Sequence, residues 1–188
     1  MKPAADYFTA TMPEPWQILG LRLRPFSLGH YKLLRRSDCA FVGEGERGAT
    51  LEDLVFGVLA CSMTPAEFTA FIDAPDYIAK VEEWGDKIRL FDLVEKSKLF
   101  KEYIEANSVM PKYWEEKECG ESGAHWAQSL EVCLRSKLNW TAQEIDEQPL
   151  SKAFHDYFKH AESEGAIKLM TPEEIAFIES QKEVACGS

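Results

Sequence analysis

Five hydroxyl residues, Ser27, Thr50, Thr64, Thr141 and Thr171, each stand just ahead of an apolar run with helical spacing, and three of them open a Thr-x-x-Glu box. A hydroxyl at that position accepts from a backbone N–H that the start of a helix leaves without a partner, and the acid three residues on bonds back to the cap. Pro65 and Pro172 follow two of these residues, in the first helical position, where a missing N–H costs nothing. A chain punctuated this way is cut into short helices and cannot run as one long helix or as a large sheet. The pattern predicts a mainly α fold, a helical bundle of about eight helices with one short N-terminal β-strand or hairpin, and no repeat is visible at any period.

The apolar residues place these elements along the chain. Residues 1–15 hold three prolines and little periodicity, which predicts an extended arm. From Leu19 to Arg24 apolar and non-apolar residues alternate, the period of a strand with one buried face, and Pro25 ends it. A short helix capped by Ser27 is predicted through about Arg36, with Phe26 and Tyr31 placed as a hydrophobic staple. The Gly43–Gly48 segment is too polar and glycine-rich to pack, and its glutamates argue against a phosphate loop. After Thr50, Leu51, Leu54, Val55, Val58 and Leu59 mark a central core helix, with Glu52 and Asp53 where the helix dipole favours acids.

Residues 76–107 read as helical and charged, with a break at Gly85 and a narrow stripe of Leu90, Leu93, Val94, Ser97, Phe100 and Ile104. An irregular connection runs from Pro111 to Gly123. Beyond it, helices are expected around Trp126–Leu138, after Thr141, from Leu150 to Ala161, and from Thr171 to about Lys182. The domain reading is therefore an arm at 1–15, a helical core with its strand at 16–110, and a C-terminal helical module at 124–188 packed on that core.

Composition narrows the function classes. Hydrophobic residues at 45%, charged residues at 28% and five tryptophans are values of a packed globular chain. No apolar run has the length of a membrane helix and no signal core opens the chain, which predicts a soluble cytoplasmic protein without membrane association. The five cysteines are widely spaced, without a C-x-x-C pair, and Cys61 and Cys133 fall on apolar stripes where a thiol is a small core residue. His155 and His160 are five apart and do not share a helical face as metal ligands would, and no hydrolase or metal motif occurs. The expectation is a protein that is not an enzyme, with no cofactor, no metal site and no catalytic residues.

One charge feature stands out against the net −11. Between Glu14 and Asp38 no carboxylate occurs, whereas Arg22, Arg24, Lys32, Arg35 and Arg36 do; without those five charges the rest of the chain carries −16. They can pair with the surplus acids and with a helix C-terminus, or form a surface that meets a partner. A single strand needs a neighbour, and the expected choices for Leu19–Arg24 are Ile167–Met170, the same strand of a second copy, or an extended client. Net negative charge makes nucleic acid the second choice of partner, with the segment 22–36 as its contact.

The order of features, a strand running into Arg24-Pro25-Phe26-Ser27-Leu28-Gly29-His30, a helical body, then Trp140-Thr141-Ala142-Gln143-Glu144-Ile145 followed by Pro149-Leu150, resembles bacteriophage tail-assembly chaperones and related prophage tail-module proteins. The resemblance implies a non-enzymatic protein that oligomerises and holds a tape-measure or other tail protein until the tube forms, in the host cytoplasm. Such a protein needs apolar anchors rimmed by charge. The expected partner-binding residues are Trp84, Tyr113 and Trp114 with the basic residues Arg22, Arg24, Lys32, Arg35 and Arg36.

Overall fold

In a computed structural model of the chain, the structure describes residues 14–43, 47–88, 91–116 and 123–186. The arm expected at 1–15 lies outside them but for Glu14 and Pro15, as do residues 44–46 of the glycine-rich loop. The protein is mainly α-helical, as expected, with nine helices among the described residues and a short N-terminal hairpin. In chain order the elements are β1 (Trp16–Ile18), β2 (Leu21–Leu23), α1 (Leu28–Arg36), α2 (Leu51–Cys61), α3 (Pro65–Ile72), α4 (Tyr77–Ile88) and α5 (Leu93–Asn107). There follow β3 (Tyr113–Glu115), α6 (Trp126–Ser136), α7 (Ala142–Glu147), α8 (Leu150–Ser163), β4 (Ile167–Leu169) and α9 (Pro172–Cys186). Of the described residues, one compact unit holds those of Pro13–Ser108 and Thr141–Leu150, and the other those of Val109–Trp140 and Ser151–Ser188.

The hairpin corrects the strand expected over Leu19–Arg24. Leu19 and Gly20 have φ of 51° and 78°, both left-handed, and form a tight turn between β1 and β2. The partner of β2 is therefore the chain just before it, in the register Trp16↔Leu23, Gln17↔Arg22 and Ile18↔Leu21. Two positive φ values at a two-residue turn match the right-handed twist of the flanking strands. Leucine adopts that conformation reluctantly. Here Leu19 is 2% exposed, and the Trp84 indole N–H donates to its carbonyl at 3.1 Å, so burial and a tether offset the strain. β4, one of the expected partners, pairs instead with β3, in the register Tyr113↔Leu169 and Glu115↔Ile167.

The expected capping residues all cap helices. Thr50, Thr64 and Thr141 make reciprocal boxes with Asp53, Glu67 and Glu144, and Thr171 exchanges bonds with Glu174. The core of the first unit forms around α2, where Leu54, Val58, Ala60 and Cys61 are fully buried. Against it lies α5, whose inner face is Phe100, Tyr103 and Asn107 rather than the expected stripe through Val94, which is 68% exposed. Tyr103 escapes a hydropathy count because its hydroxyl is polar, yet it buries completely by donating that hydroxyl to Arg24 O at 2.7 Å. The break expected at Gly85 is also corrected: α4 continues through it to Ile88, and Asp92 opens the next helix by accepting from Val94 N and Glu95 N.

The N-terminus of α1 is built into a polar knot. Ser27 caps the helix and its hydroxyl donates to Asp146 O of α7 at 2.5 Å, while Leu150 N donates to Phe26 O at 2.7 Å. Gly29 lies where these segments cross: a Cβ there would stand 2.5 Å from Asp146 O and 2.6 Å from Pro65 Cγ. Among the described residues no single helix is long and apolar enough to cross a membrane; α2 and α3 together pass on composition but meet at a 120° bend.

Gly29→Ala forces backbone apart and is expected to cost about 2–3 kcal/mol. Gly85→Ala, at a helical position open to solvent, is expected to stabilise by about 0.5–1 kcal/mol. Urea denaturation of the two variants separates these signs.

Candidate partner-binding surfaces

Four groups with acid–base or nucleophilic chemistry, His30, Cys39, Cys61 and Asp53, are turned inward in the first unit. His30 is 1% exposed; its Nδ1 accepts from Ser27 N at 3.2 Å and its Nε2 donates to Met63 O at 2.8 Å, an arrangement that needs the neutral ring. Burial lowers its pKa from 6.5 to about 4, against the opposing pull of the Met63 carbonyl. Burial likewise pushes the Cys39 thiol up to about 11 and Cys61 higher still, so neither thiolate forms near neutrality. Asp53 is buried at the start of α2, which alone would raise its pKa. The Arg47 guanidinium at 2.8 and 2.9 Å, with Thr50 and Ala40 N–H, outweighs burial and holds the carboxyl well below the usual range. Among the described residues no group of three or more His, Cys, Asp or Glu side chains could hold a metal ion.

The five basic residues do not form one patch. Arg22 and Arg24 border a pocket at the open end of the hairpin, with Trp16, Ser62 and Asn107. Lys32 and Arg36 border another, of about 480 Å³, with Thr69 of α3 and Gln143 and Glu147 of α7. Arg24 pairs with Glu67 at 3.3 Å and Lys32 with Asp146 at 2.7 Å, so two of the five charges meet the chain's own surplus of acids. Arg35 is half-buried, whereas Arg22 and Arg36 are exposed and have no ion-pair partner among the described residues. The expected aromatic anchors are separated too. Trp84 is half-buried and tied to the hairpin turn, while Tyr113 and Trp114 sit on β3, 36% and 45% exposed.

In the second unit the aromatics line up. Phe154 and Phe158, one turn apart on α8, are nearly buried; Trp126 lies 5.6 Å from the first and Tyr113 4.9 Å from the second, centroid to centroid. The two outer rings are each more than a third exposed and rest on inner rings that fix their position. Trp114 takes the opposite face of β3, across from Lys168, and its indole with Thr171 helps hold the Glu174 carboxyl low. Between α6 and α8 runs a groove of about 480 Å³ floored by Val132, Cys133, Tyr157 and Ala161. Ion pairs on this unit include Lys152–Asp156 at 2.6 Å, Lys112–Glu179 at 2.7 Å and Arg135–Glu131 at 3.1 Å.

Sequence reasoning placed Trp126 on an apolar helical face and missed its outward half. It also passed over Asn107, since nothing in a sequence marks one asparagine at a helix end as buried. Comparison with protein-family models, with curated proteins and with solved structures returned no match.

The titration of His30 sets a pH window. The unfolded chain takes up its proton near pH 6.5 and the folded chain only near 4, so stability is full above 6.5 and falls by about 3 kcal/mol as pH drops through that interval. The Asp53 contribution is lost separately, below its ordinary value of 3.8. Urea midpoints measured from pH 7.5 to pH 4 are expected to follow the first window, and His30→Gln to flatten it.

Proposed function

We propose that this chain is a non-catalytic binding protein of the tail-assembly chaperone kind, holding another structural protein of a phage or prophage tail during assembly. The aromatic run Trp126–Phe154–Phe158–Tyr113 carries this reading. Half-exposed aromatic rings resting on buried ones supply large contact area with little side-chain entropy left to lose, the property of binding anchors. The ion pairs of this unit suit a client that is amphipathic and has to be released, because partly exposed pairs add specificity more than affinity. Further support comes from the stretches that resemble the family, 24–30 and 140–145 with 149–150, which are hydrogen-bonded to each other from Leu150 N to Phe26 O at 2.7 Å. Homo-oligomerisation and a cytoplasmic location belong to the same proposal.

The rival reading, nucleic-acid binding through residues 22–36, has less support. Arg24 and Lys32 are already paired with acids, and four of the five cations are divided between two separate pockets. A steep fall of DNA or RNA affinity between low and physiological salt would favour it over the chaperone reading.

Coexpression with the genes flanking its own is expected to give a complex in which one flanking product co-purifies and stays soluble. The double variant Trp126→Ala, Tyr113→Ser is expected to weaken that capture at least about tenfold, as loss of two anchor rings does. A strictly monomeric protein that captures no flanking product, or capture unchanged in the double variant, overturns the proposal.

A further inference from the structure

In the second unit β3 and β4 form a sheet of only two strands, and the bonds at its two ends fix which main-chain groups face outward. Met170 N donates to Lys112 O at 3.0 Å and Glu116 N to Ala166 O at 3.2 Å, so residues 112, 114 and 116 are the ones that bond across to β4. Tyr113↔Leu169 and Glu115↔Ile167 are then the wide pairs, whose N–H and C=O groups point away from the partner strand. Those groups of Tyr113 and Glu115 have no hydrogen-bond partner among the described residues. The far edge of β4 differs, because Leu169 N donates there to Glu162 Oε1 at 3.0 Å. Lys112, Tyr113, Trp114, Glu115 and Glu116 are all exposed, which leaves the β3 edge open to another strand.

The residue order along this edge matches itself. In a second copy running antiparallel about a two-fold axis at Trp114, Tyr113 and Glu115 of each chain exchange both main-chain bonds with Glu115 and Tyr113 of the other. Trp114 meets its own twin at a wide position, where the side chains approach most closely and aromatic pairs stabilise a sheet. Lys112 meets Glu116 of the second copy at either end, two opposite-charge pairs; its ammonium lies 2.7 Å from Glu179, and the side chain keeps 44% of its surface exposed. A slip of one chain toward its C-terminus sets Glu115 against Glu115, a like-charge pair. A slip the other way sets Glu115 against Pro111, which has no N–H to give. One register therefore satisfies both the charges and the main chain.

We propose that this chain forms a homodimer through the β3 edge, joining the two small sheets into one of four strands. The inference deepens the homo-oligomer of the functional proposal, on which it rests in that one respect, and names its surface. A contact this short falls at the low end of interface sizes, so the dimer is expected to exchange with monomer at about 0.1 mM protein.

Sedimentation velocity and amide hydrogen exchange of the full chain over a concentration series test it. Expected are a concentration-dependent shift from monomer to dimer and slower exchange of the Tyr113 and Glu115 amides as dimer accumulates. Glu115→Pro removes an N–H that bonds nothing within the chain and is expected to keep the circular dichroism of the parent while losing the dimer. Glu116→Lys, which puts like charges opposite each other at both ends, is expected to weaken it about tenfold and decides the matter should the proline variant misfold. Trp114→Cys, oxidised with diamide, is expected to give a 114–114 disulfide in peptide maps, since a wide cross-strand pair has the required Cα separation. A monomer at every concentration, a dimer that Glu116→Lys leaves unweakened, or no 114–114 disulfide would each overturn the proposal. So would Tyr113 and Glu115 amides that slow only when a flanking product is captured, which would give the edge to a client strand. Capture is scored separately: a β3 dimer that captures nothing supports this inference and removes the tail-assembly reading, whereas capture by a strict monomer removes this inference alone.

Discussion

The bond from the Ser27 hydroxyl to the Asp146 carbonyl joins segments 119 residues apart, and much of the first unit converges on it. His30 completes the cap of α1 and reaches Met63 O at the end of α2, while Leu150 N binds Phe26 O and Ser27 bridges to Pro149. Phe26 in turn packs edge-on against Tyr103 at 6.1 Å, whose hydroxyl holds Arg24 O at the end of the hairpin. Ser27, His30 and Tyr103 are themselves buried, so a bond left unmade there would cost the desolvation of its donor or acceptor. The close approach at Gly29 follows from the same crossing, since α7 can reach Ser27 only where α1 presents no side chain.

This crossing also explains why the basic segment does not behave as one patch. The hairpin end and α1 are consecutive in sequence, but the cap at Ser27 turns the chain between them. Arg22 and Arg24 come out beside Trp16 and Asn107, whereas Lys32 and Arg36 come out beside α3 and α7. Two of the cations are then neutralised by Glu67 and Asp146, the kind of pairing that an acidic chain makes easy. The two units thus offer different chemistry, a polar pocket bordered by Arg22 and Arg24 in the first and a run of half-exposed rings in the second.

Local signals carried far where the physics is local. Caps at Ser27, Thr50, Thr64, Thr141 and Thr171 need only the residues within one turn, and each of them opens a helix. The helical face of α8 is likewise written in its spacing, Leu150, Ala153, Phe154 and Phe158 all being buried. The bounds and partner of the strand expected over Leu19–Arg24 were missed because a leucine in the left-handed region is disfavoured locally, and only burial and the Trp84 tether make it hold. Gly85 failed for the opposite reason: an interior glycine costs only about 1 kcal/mol, too little by itself to break a helix.

By itself the sequence determined the helical class, the starts of the helices, the central place of α2 and the uneven distribution of charge, because each depends on neighbours within a few residues. Only the tertiary structure decided that His30 is a neutral buried cap, that Asn107 is buried at the end of α5, that the five cations separate, and that Trp126 and Tyr113 flank one aromatic run. Those outcomes depend on which groups remote segments bring together and on how much water they exclude, and neither quantity is a property of any short stretch of chain.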